Sequence, residues 1–339
     1  MQGMIRRDPV SHRWVIFAPE KAPILTHGSS EEETLLPAEN PDSCPFCPGN
    51  EATTGSEILR YNHFPHLNNG WSLRVFPARN PLLRVEEDAR PQGKGIYDAM
   101  HRVGAHEVVV ETARHGGAID MLSPEEFRDV FLAWRDRSAD LQGDRRFKYL
   151  MIFKNRGKEA GGTVNHHYSE LVAFPFLPSF VESRFRHAAD YFAFRRRCVV
   201  CDIVDQELAD GSRLVEENEE FAAFCPYAGR FPFEVWIVPK RHLLYFSDTP
   251  HETLLALTRI YLAVLRRIRV ALGAPAYNVV VYNGPSNYDD FTKNPLQFFH
   301  WHIEIIPRIC GMNALPLGGG GYINPTLPED AAAFLREQG

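Results

Sequence analysis

One pattern occurs twice in this chain, as HEVVVETARH at residues 106–115 and as FEVWIVPKRH at residues 233–242. Each copy is a strand-like run of apolar residues that ends in a histidine, and both copies have the same flanks. A Cys-x-x-Cys pair precedes the run and a second histidine-containing strand follows it. The pairs are Cys44/Cys47 and Cys198/Cys201, and the strands that follow contain His166 and His300. A repeated order of motifs predicts two copies of one structural module.

Both copies also predict the same order of elements. In the first, a Val-rich strand at 107–112 precedes a helix whose start is marked by Ser123 as N-cap, by Pro124 and by Glu126 at the capping-box position. A strand at 149–153 and a Gly-containing loop then lead to the histidine strand. The second copy has a strand at 233–238, a helix at about 250–272, a strand at 278–282 and a histidine strand at 299–306.

The composition favours a globular protein and argues against two classes of function. Hydrophobic residues make up 44% of the 339 residues, enough to fill the core of one large domain or two ordinary ones. The formal net charge is −6 and no basic run is interleaved with aromatic residues, which argues against nucleic-acid binding. Without a run of about 18 apolar residues or a secretory signal, a cytoplasmic location away from membranes is expected.

The cysteine pattern predicts two metal sites. Four of the six cysteines lie in the Cys-x-x-Cys pairs, and in a reducing compartment such pairs bind metal more often than they form disulfides. Two thiolates and two imidazoles make a closed tetrahedral set suited to structural zinc, and each module supplies one set. The sets are Cys44, Cys47, His115 and His166 in the first module, and Cys198, Cys201, His242 and His300 in the second.

The histidine strands place further polar residues beside these ligands. Alternate residues of a strand share a face, so Tyr168 and Glu170 are expected to follow the first ligand on one face. By the same alternation, His302 and Glu304 follow the ligand of the second module. A side chain anchored two residues beyond a metal ligand suits attack on phosphorus, and the pattern therefore indicates phosphoryl or nucleotidyl transfer.

Other residues of the two modules are candidates for binding the phosphate groups of a substrate. The backbone N–H groups of Gly161, Gly162 and Thr163 are expected to stabilise phosphate oxygens. Asn155 and Asn283 each end the strand that comes before a histidine strand, and they are candidates for the same task.

Several longer motifs carry a resemblance to a known family. The chain resembles the galactose-1-phosphate uridylyltransferase family, within the histidine-triad superfamily, over nearly its entire length. The motifs that carry this resemblance are RDPV at 7–10, RWVI at 13–16, CPFCPGNE at 44–51, FKNRG at 153–157, GGT at 161–163, HHYSELVAFP at 166–175, HWHIEIIPR at 300–308 and YINP at 322–325.

The resemblance implies an enzyme with a ping-pong mechanism. A family histidine takes the nucleoside monophosphate from a nucleotide sugar and passes it to a second sugar 1-phosphate, and related members use ADP-sugars and inorganic phosphate instead. The implied partners are therefore a nucleotide sugar and a sugar phosphate. The family commonly forms homodimers.

The chain departs from the family pattern at the expected reaction site. The family reads His-x-His-x-Gln, with the second histidine as nucleophile, whereas this chain has Tyr168 at that position and Glu170 in place of the phosphate-binding glutamine. Ala78 also replaces an asparagine that usually lies near the nucleotide. The change from glutamine to Glu170 is chemically large, because a carboxylate repels a phosphate unless it is protonated or paired with a cation. The change from histidine to Tyr168 is also large, because a phenol replaces an imidazole.

Three hypotheses about function remain open at this point. In the first, Tyr168 is an activated nucleophile that moves a nucleoside monophosphate between a nucleotide sugar and a hexose 1-phosphate. In the second, His302 of the second module is the nucleophile of a nucleotide-sugar phosphorylase or hydrolase, oriented by Glu304. In the third, the protein is a zinc-stabilised nucleotide-sugar-binding pseudoenzyme that has lost its nucleophile.

The fold is predicted to be α+β, with two tandem histidine-triad-like modules at residues 1–185 and 186–339. Their strands are expected to form one continuous antiparallel sheet, or two closely apposed ones, with helices packed on it.

Overall fold

The computed structural model describes residues 3–22, 40–64, 70–287, 297–312 and 314–339. Within these residues, the strands are β1 (Met4–Arg7), β2 (Trp14–Phe17), β3 (Leu59–Tyr61), β4 (Leu73–Pro77), β5 (Gln92–Lys94), β6 (Tyr97–Ala99), β7 (Ala105–Val110), β8 (Tyr149–Arg156), β9 (Tyr168–Phe174), β10 (Leu214–Glu217), β11 (Phe221–Phe224), β12 (Val235–Pro239), β13 (Tyr277–Tyr282), β14 (His302–Pro307) and β15 (Tyr322–Asn324). The helices are α1 (Pro124–Gln142), α2 (Ser179–Arg195), α3 (Val199–Asp210), α4 (Leu254–Leu272), α5 (Ala314–Gly319) and α6 (Pro328–Arg336).

Ten strands from both modules form a single antiparallel sheet, in the order β10-β11-β12-β14-β13-β8-β9-β7-β4-β3. The modules meet where β8 pairs with β13, from Tyr277 opposite Arg156 to Val281 opposite Ile152. The predicted α+β fold with an antiparallel sheet is therefore confirmed. The predicted boundary between residues 185 and 186 falls inside α2, and the division of the chain into two modules stays a prediction from the repeat.

The long helices α1 and α4 pack side by side on one face of the sheet. The α1 start is as predicted, because Ser123 accepts from the backbone N–H of Glu126 and the Glu126 carboxylate accepts from that of Ser123. Phe127 and Phe131 of α1 each lie 5.2 Å, centroid to centroid, from the ring of Tyr261 in α4. Since these rings are buried against strands of both modules, one hydrophobic core stabilises the whole sheet.

The opposite face of the sheet is covered differently in the two modules. In the second module, α2 and α3 pack on it and enclose a core that includes Phe224, Trp236 and Tyr282. In the first module, the loop that contains Cys44 and Cys47 covers part of the face and packs around Tyr168. Among the described residues, Phe153, Asn155 and Glu170 beside Tyr168 are half-buried, whereas His302 and Glu304 have no exposed surface.

The histidine strands begin later than predicted. β9 starts at Tyr168 and β14 at His302, so His166 and His300 lie just before their strands. The expected alternation holds from those starting points. Ser169 and Leu171 face the core formed with α1, where the Trp134 indole N–H donates to the Ser169 hydroxyl at 2.8 Å, and Tyr168 therefore faces the other side.

A small sheet lies outside this architecture. β2 pairs antiparallel with β1 and parallel with β15, which brings the two ends of the described chain together. β5 and β6 form a separate two-stranded hairpin. Among the described residues, none of the helices combines the length and the apolar composition needed to cross a membrane.

A buried ion pair joins the central strands on the α1/α4 face. The Lys154 ammonium of β8 contacts the carboxylate of Glu111, and both side chains are almost fully buried. Burial lowers the pKa of Lys154, and the charge of Glu111 opposes that shift. Two charges in such a place stabilise each other only as a pair, because either one alone would be an uncompensated charge in a region of low dielectric constant.

Replacement of one member of this pair should therefore cost more than replacement of both. We expect Glu111→Leu to lower the free energy of unfolding by about 3–5 kcal/mol, and Glu111→Leu/Lys154→Met to recover most of that loss. Urea unfolding followed by circular dichroism measures both. The exposed pair of Glu182 and Arg186 is the control, since Glu182→Leu should cost at most about 0.5 kcal/mol. Equal losses in the single and double variants would contradict the prediction.

Candidate functional site

The first predicted metal-binding group is assembled in the structure. Cys44 and Cys47 come from the loop after the Pro41–Ser43 turn, His115 from the segment after β7, and His166 from the bend before β9. The Cys47 sulfur lies 3.2 Å from Nδ1 of His115 and 3.7 Å from Nδ1 of His166, and the Cys44 sulfur lies 3.6 Å from Nδ1 of His166. The four candidate ligand atoms all lie within 4.8 Å of one another.

The second predicted group is assembled in the same way from Cys198, Cys201, His242 and His300. The Cys201 sulfur lies 3.2 Å from Nδ1 of His242 and 3.4 Å from Nδ1 of His300. Cys198 is the N-cap residue of α3, so this helix starts at the site. The structure thus brings together all eight ligands that the repeat predicted.

The chemistry of the donors fits a divalent metal ion. The Nε2–H of His166 donates to the carbonyl oxygen of Thr112 at 2.8 Å, which leaves Nδ1 directed at the two thiols. Burial lowers the pKa of His166 to about 4, so its imidazole is neutral and able to ligate near pH 7. In the second group, a hydrogen bond between the thiols lowers the pKa of Cys198 and raises that of Cys201. Sulfur and neutral imidazole donors in this number are those of a closed tetrahedral site.

Tyr168 lies directly after the first group, on the face opposite α1 and α4. Its ring packs against Phe46 at 5.2 Å between centroids and against Phe76, Val108 and Val110. Its hydroxyl oxygen lies 3.1 Å from Oγ1 of Thr163 and accepts from the Thr163 backbone N–H at 3.4 Å. The side chain is therefore held in one place, with its oxygen at the end of the 161–163 loop.

The loop before Tyr168 does not form the predicted phosphate-binding cradle. The N–H of Gly161 donates to the carbonyl of Lys158, and the N–H of Gly162 donates to that of Gly157, both at 2.9 Å. Gly161 has a φ of +82°, and a Cβ on Gly162 would lie 2.9 Å from the Gly157 oxygen. Both glycines are thus required by a tight turn. Because their donors are already satisfied, only Thr163 of the three predicted residues retains polar groups directed at Tyr168.

The asparagine predictions have different outcomes in the two modules. Asn155 lies at the end of β8 on the same face as Tyr168, and its side-chain oxygen accepts from Asn278 at 2.7 Å. Asn283 is completely buried. Its oxygen accepts from the backbone N–H of Phe246 at 2.8 Å and its amide donates to the Leu150 carbonyl at 3.4 Å. Asn283 therefore ties two chain segments together, and its role in substrate binding stays a prediction.

Glu170 is paired with a histidine rather than with an arginine or lysine. Its carboxylate lies 2.8 Å from Nε2 of His106, and Nδ1 of that ring accepts from the backbone N–H of Leu82 at 3.1 Å. Since Nδ1 is an acceptor, the hydrogen is on Nε2 and His106 donates it to Glu170 as a neutral ring. The carboxylate therefore lies at the edge of the candidate site with a hydrogen-bond donor beside it and no arginine or lysine partner among the described residues.

The equivalent position of the second module is sealed. His302 has no exposed surface, and its ring is stacked between Trp236 at 4.7 Å and Tyr282 at 5.2 Å. Its Nε2 accepts from Arg184 at 2.7 Å, and its Nδ1–H donates to the His300 carbonyl at 3.2 Å. Both nitrogens are engaged, and burial lowers the pKa of the ring. Among the described residues, the Nε2 lone pair of His302 is thus engaged by Arg184, and a catalytic role for His302 stays a prediction.

Glu304 is part of the same closed cluster. Its carboxylate accepts from Arg184 at 2.8 Å and contacts Arg230. Burial alone raises the pKa of Glu304, but the two guanidinium groups outweigh that effect and hold the pKa well below its usual range. Glu304 and Glu234 together therefore balance the charges of the two buried arginines, and a catalytic role for Glu304 stays a prediction.

Two residues that contact the predicted site residues, Arg184 and His106, were not predicted from the sequence. Arg184 comes from α2 and reaches the second histidine strand across the sheet face, and no local pattern marks that contact. His106 is different, since it opens the repeated stretch and lies two residues before Val108, which is paired with Glu170. Alternation along β7, combined with that strand pairing, would have placed it on the Tyr168 face.

Known proteins resemble this chain over almost its whole length. Residues 2–188 match the family described as "Galactose-1-phosphate uridyl transferase, N-terminal domain". The chain is 31% identical over 335 residues to an ADP-glucose phosphorylase of Arabidopsis thaliana, covering 98% of this chain and 92% of the relative. It is 30% identical over 345 residues to the galactose-1-phosphate uridylyltransferase of Thermotoga maritima, covering 98% of both. The crystal structure of an ADP-glucose phosphorylase from Arabidopsis thaliana with bound ADP-glucose superposes with a TM-score of 0.83 at 30% identity, over 99% of both chains.

The two Cys2His2 groups should each bind one metal ion independently. We expect elemental analysis of the purified protein to find two equivalents of zinc, and Cys44→Ser and Cys198→Ser each to leave one. Cys310→Ser is the control, because Cys310 belongs to neither group, and it should keep two equivalents. Chelation should lower the melting temperature of the wild-type protein. Unchanged zinc content in both ligand variants would refute the assignment of the donors.

Proposed function

The chain belongs to the galactose-1-phosphate uridylyltransferase family, and on that premise we propose that it binds a nucleotide sugar at Tyr168 and transfers the nucleoside monophosphate through the phenolic oxygen. The observation that carries the proposal is the asymmetry of the two modules. The Tyr168 face lies beside a metal-binding group and is only partly covered, whereas the His302 face is filled by α2 and its arginine. The proposal therefore places the nucleotide sugar on the Tyr168 side, where Asn155 and Glu170 are half-buried.

The surroundings of Tyr168 support a nucleophilic role for its oxygen. The Thr163 N–H donates to that oxygen and the Thr163 hydroxyl lies within hydrogen-bond distance, so two donors can stabilise developing negative charge. Attack on the α-phosphorus would form a tyrosyl–phosphorus ester and break the bond to the bridging oxygen. The sugar 1-phosphate leaves and takes up the phenol proton, and a phosphate acceptor reverses these steps in the second half-reaction.

Glu170 is proposed to contact hydroxyl groups rather than phosphate. Its anionic carboxylate accepts hydrogen bonds and repels a phosphate oxygen, while the ribose and the hexose of a nucleotide sugar carry several hydroxyl donors. The neutral His106 leaves that negative charge uncompensated. Replacement of the family glutamine by Glu170 is therefore proposed to change which part of the substrate this position recognises.

The two kinds of relative suggest candidates for the nucleotide base of the donor and for the phosphate acceptor. One relative is an ADP-glucose phosphorylase and another is a galactose-1-phosphate uridylyltransferase. We therefore propose ADP-glucose and UDP-glucose as donor substrates for testing, with inorganic phosphate and galactose 1-phosphate as acceptors. In each case the reaction class is nucleotidyl transfer.

A second candidate function is nucleotide-sugar binding without turnover. It is favoured by the contacts of the Tyr168 oxygen, which involve only Thr163 among the described residues. No histidine or carboxylate of the described chain is within hydrogen-bond distance of that oxygen to act as a general base. Under this candidate, the residues around Tyr168 would serve recognition alone.

Labelling experiments distinguish the two candidates. We expect incubation with ADP-glucose or UDP-glucose, followed by peptide mass spectrometry, to find a nucleoside monophosphate on Tyr168 that survives acid. Tyr168→Phe should abolish the label without changing nucleotide-sugar affinity more than about threefold, because it removes one oxygen only. Tyr97→Phe, an exposed position on the β5–β6 hairpin, is the matched control and should label normally.

Two outcomes of the same experiment would contradict the transfer proposal. An acid-labile label that disappears in His302→Gln would place the nucleophile in the second module. Calorimetric binding of the nucleotide sugar with no label on any residue would support recognition without turnover.

Restoration of the family residues provides an independent prediction. We expect Tyr168→His/Glu170→Gln to give an acid-labile adduct and to raise the transfer rate at least tenfold, equivalent to about 1.4 kcal/mol of transition-state stabilisation. An imidazole is an intrinsically better nucleophile near neutral pH than a protonated phenol, which is the physical reason for the increase. Steady-state assays with both nucleotide sugars measure the change. A double variant without any adduct would show that the rest of the site no longer supports transfer.

A further inference from the structure

We propose that a cavity on the α1/α4 side of the sheet, on the face opposite Tyr168, is a binding site for a small organic carboxylate. The cavity lies between α4, the ends of β8 and β13 and the segment 117–120, and its volume is about 260 Å³. We name it the helix-side cavity. Its lining includes Ala118, Arg156, His167, Leu265, Ile268 and Pro275.

Arg156 supplies a buried positive charge to the helix-side cavity. The side chain is 7% exposed, and its Nη1 donates to the Asn165 amide oxygen at 3.0 Å. No carboxylate of the described residues forms an ion pair with it, whereas the neighbouring Lys154 is neutralised by Glu111. Burial lowers the pKa of Arg156, in agreement with a cation that lacks a direct counter-ion. An anionic ligand would remove that energetic cost.

The other charges that line the cavity cancel. Asp120 accepts from Arg269 with both carboxylate oxygens, at distances of 2.8–3.1 Å. Lys154 and Glu111, which lie near the cavity but do not line it, form a second neutral pair. The region therefore carries a net charge of about +1 from Arg156, which matches a monoanion better than the dianionic phosphate of a nucleotide or sugar.

His167 supplies an acceptor without a donor. Its Nε2–H donates to the Gly117 carbonyl at 2.9 Å, so Nδ1 carries a lone pair. That Nδ1 is buried and has no hydrogen-bond partner among the described residues. A buried acceptor left in this state costs about 1–3 kcal/mol, and because this atom has almost no accessible surface, a ligand in the helix-side cavity leaves it unpaired.

The remaining walls of the cavity are apolar. Leu265, Ile268 and Pro275 form one side, and the volume suits a body of about the size of a benzene ring. A guanidinium binds a carboxylate through two parallel hydrogen bonds, in a plane that fits a flat ligand. The occupant is thus a small carboxylate with an apolar body, and its recognition is independent of the chemistry proposed for Tyr168.

Calorimetric titration of the full-length protein with benzoate tests this inference. Benzoate carries the proposed charge and body, while benzyl alcohol retains only the body and inorganic phosphate only the charge. We expect benzoate to bind at least tenfold more tightly than either of the other two.

Two variants locate the binding. Arg156→Met should weaken benzoate binding at least tenfold by removing the charge, and Ala118→Leu should do so by filling the space while retaining the charge. Ala118 has an extended backbone, with φ −98° and ψ 123°, that accommodates leucine. Arg186→Met, at an exposed arginine of α2, is the matched control and should bind benzoate as the wild type does.

Three results would overturn the inference: no benzoate binding to the wild type, equal binding in Ala118→Leu, or phosphate binding as tight as benzoate binding. If Arg156→Met does not fold, Ala118→Leu alone decides the outcome. None of these results depends on whether Tyr168 is labelled by a nucleotide sugar.

Discussion

The pairing of β8 with β13 is the interaction on which the rest of this structure depends. It joins the five strands of each module into one ten-stranded sheet, with Tyr277 opposite Arg156 at one end of the junction. The pairing also places α1 beside α4, so that Tyr261 packs against two phenylalanines from the other module. Neither helix could bury its apolar face fully without the other module, and the repeat therefore forms one hydrophobic core.

The two modules place their candidate metal ligands in similar arrangements, and the adjacent strand has different surroundings in each module. In both, the last histidine ligand lies just before a strand whose first residue faces away from α1 and α4. In the first module that residue is Tyr168, held by Thr163 next to a partly covered surface. In the second it is His302, enclosed by aromatic rings and by Arg184 of α2. A duplicated scaffold thus supports a candidate reaction site in one half and a buried ionic cluster in the other.

The strand that contains Tyr168 and the residue before it place polar side chains on both faces of the sheet in the first module. Glu170 shares the Tyr168 face, where it is accompanied by His106. His167 and Ser169 point to the opposite face, and the helix-side cavity lies next to His167. Because successive side chains of a strand alternate, one short segment can serve a reaction site and a separate buried polar region without direct contact between them.

The sequence by itself determined the repeat, the α+β class, the start of α1 at Ser123 and the two groups of candidate metal ligands. These features could be predicted because each is carried by a local signal, such as a capping box or a Cys-x-x-Cys pair, that the second module repeats. Only the tertiary structure decided that His302 and Asn283 are buried. It also decided that the N–H groups of Gly161 and Gly162 bond within their own turn, and that Glu170 forms a hydrogen bond with His106. Those outcomes depend on partners from distant parts of the chain: Arg184 lies 118 residues from His302 in sequence, and the docking of α2 that brings them together follows from the burial of a whole helix face.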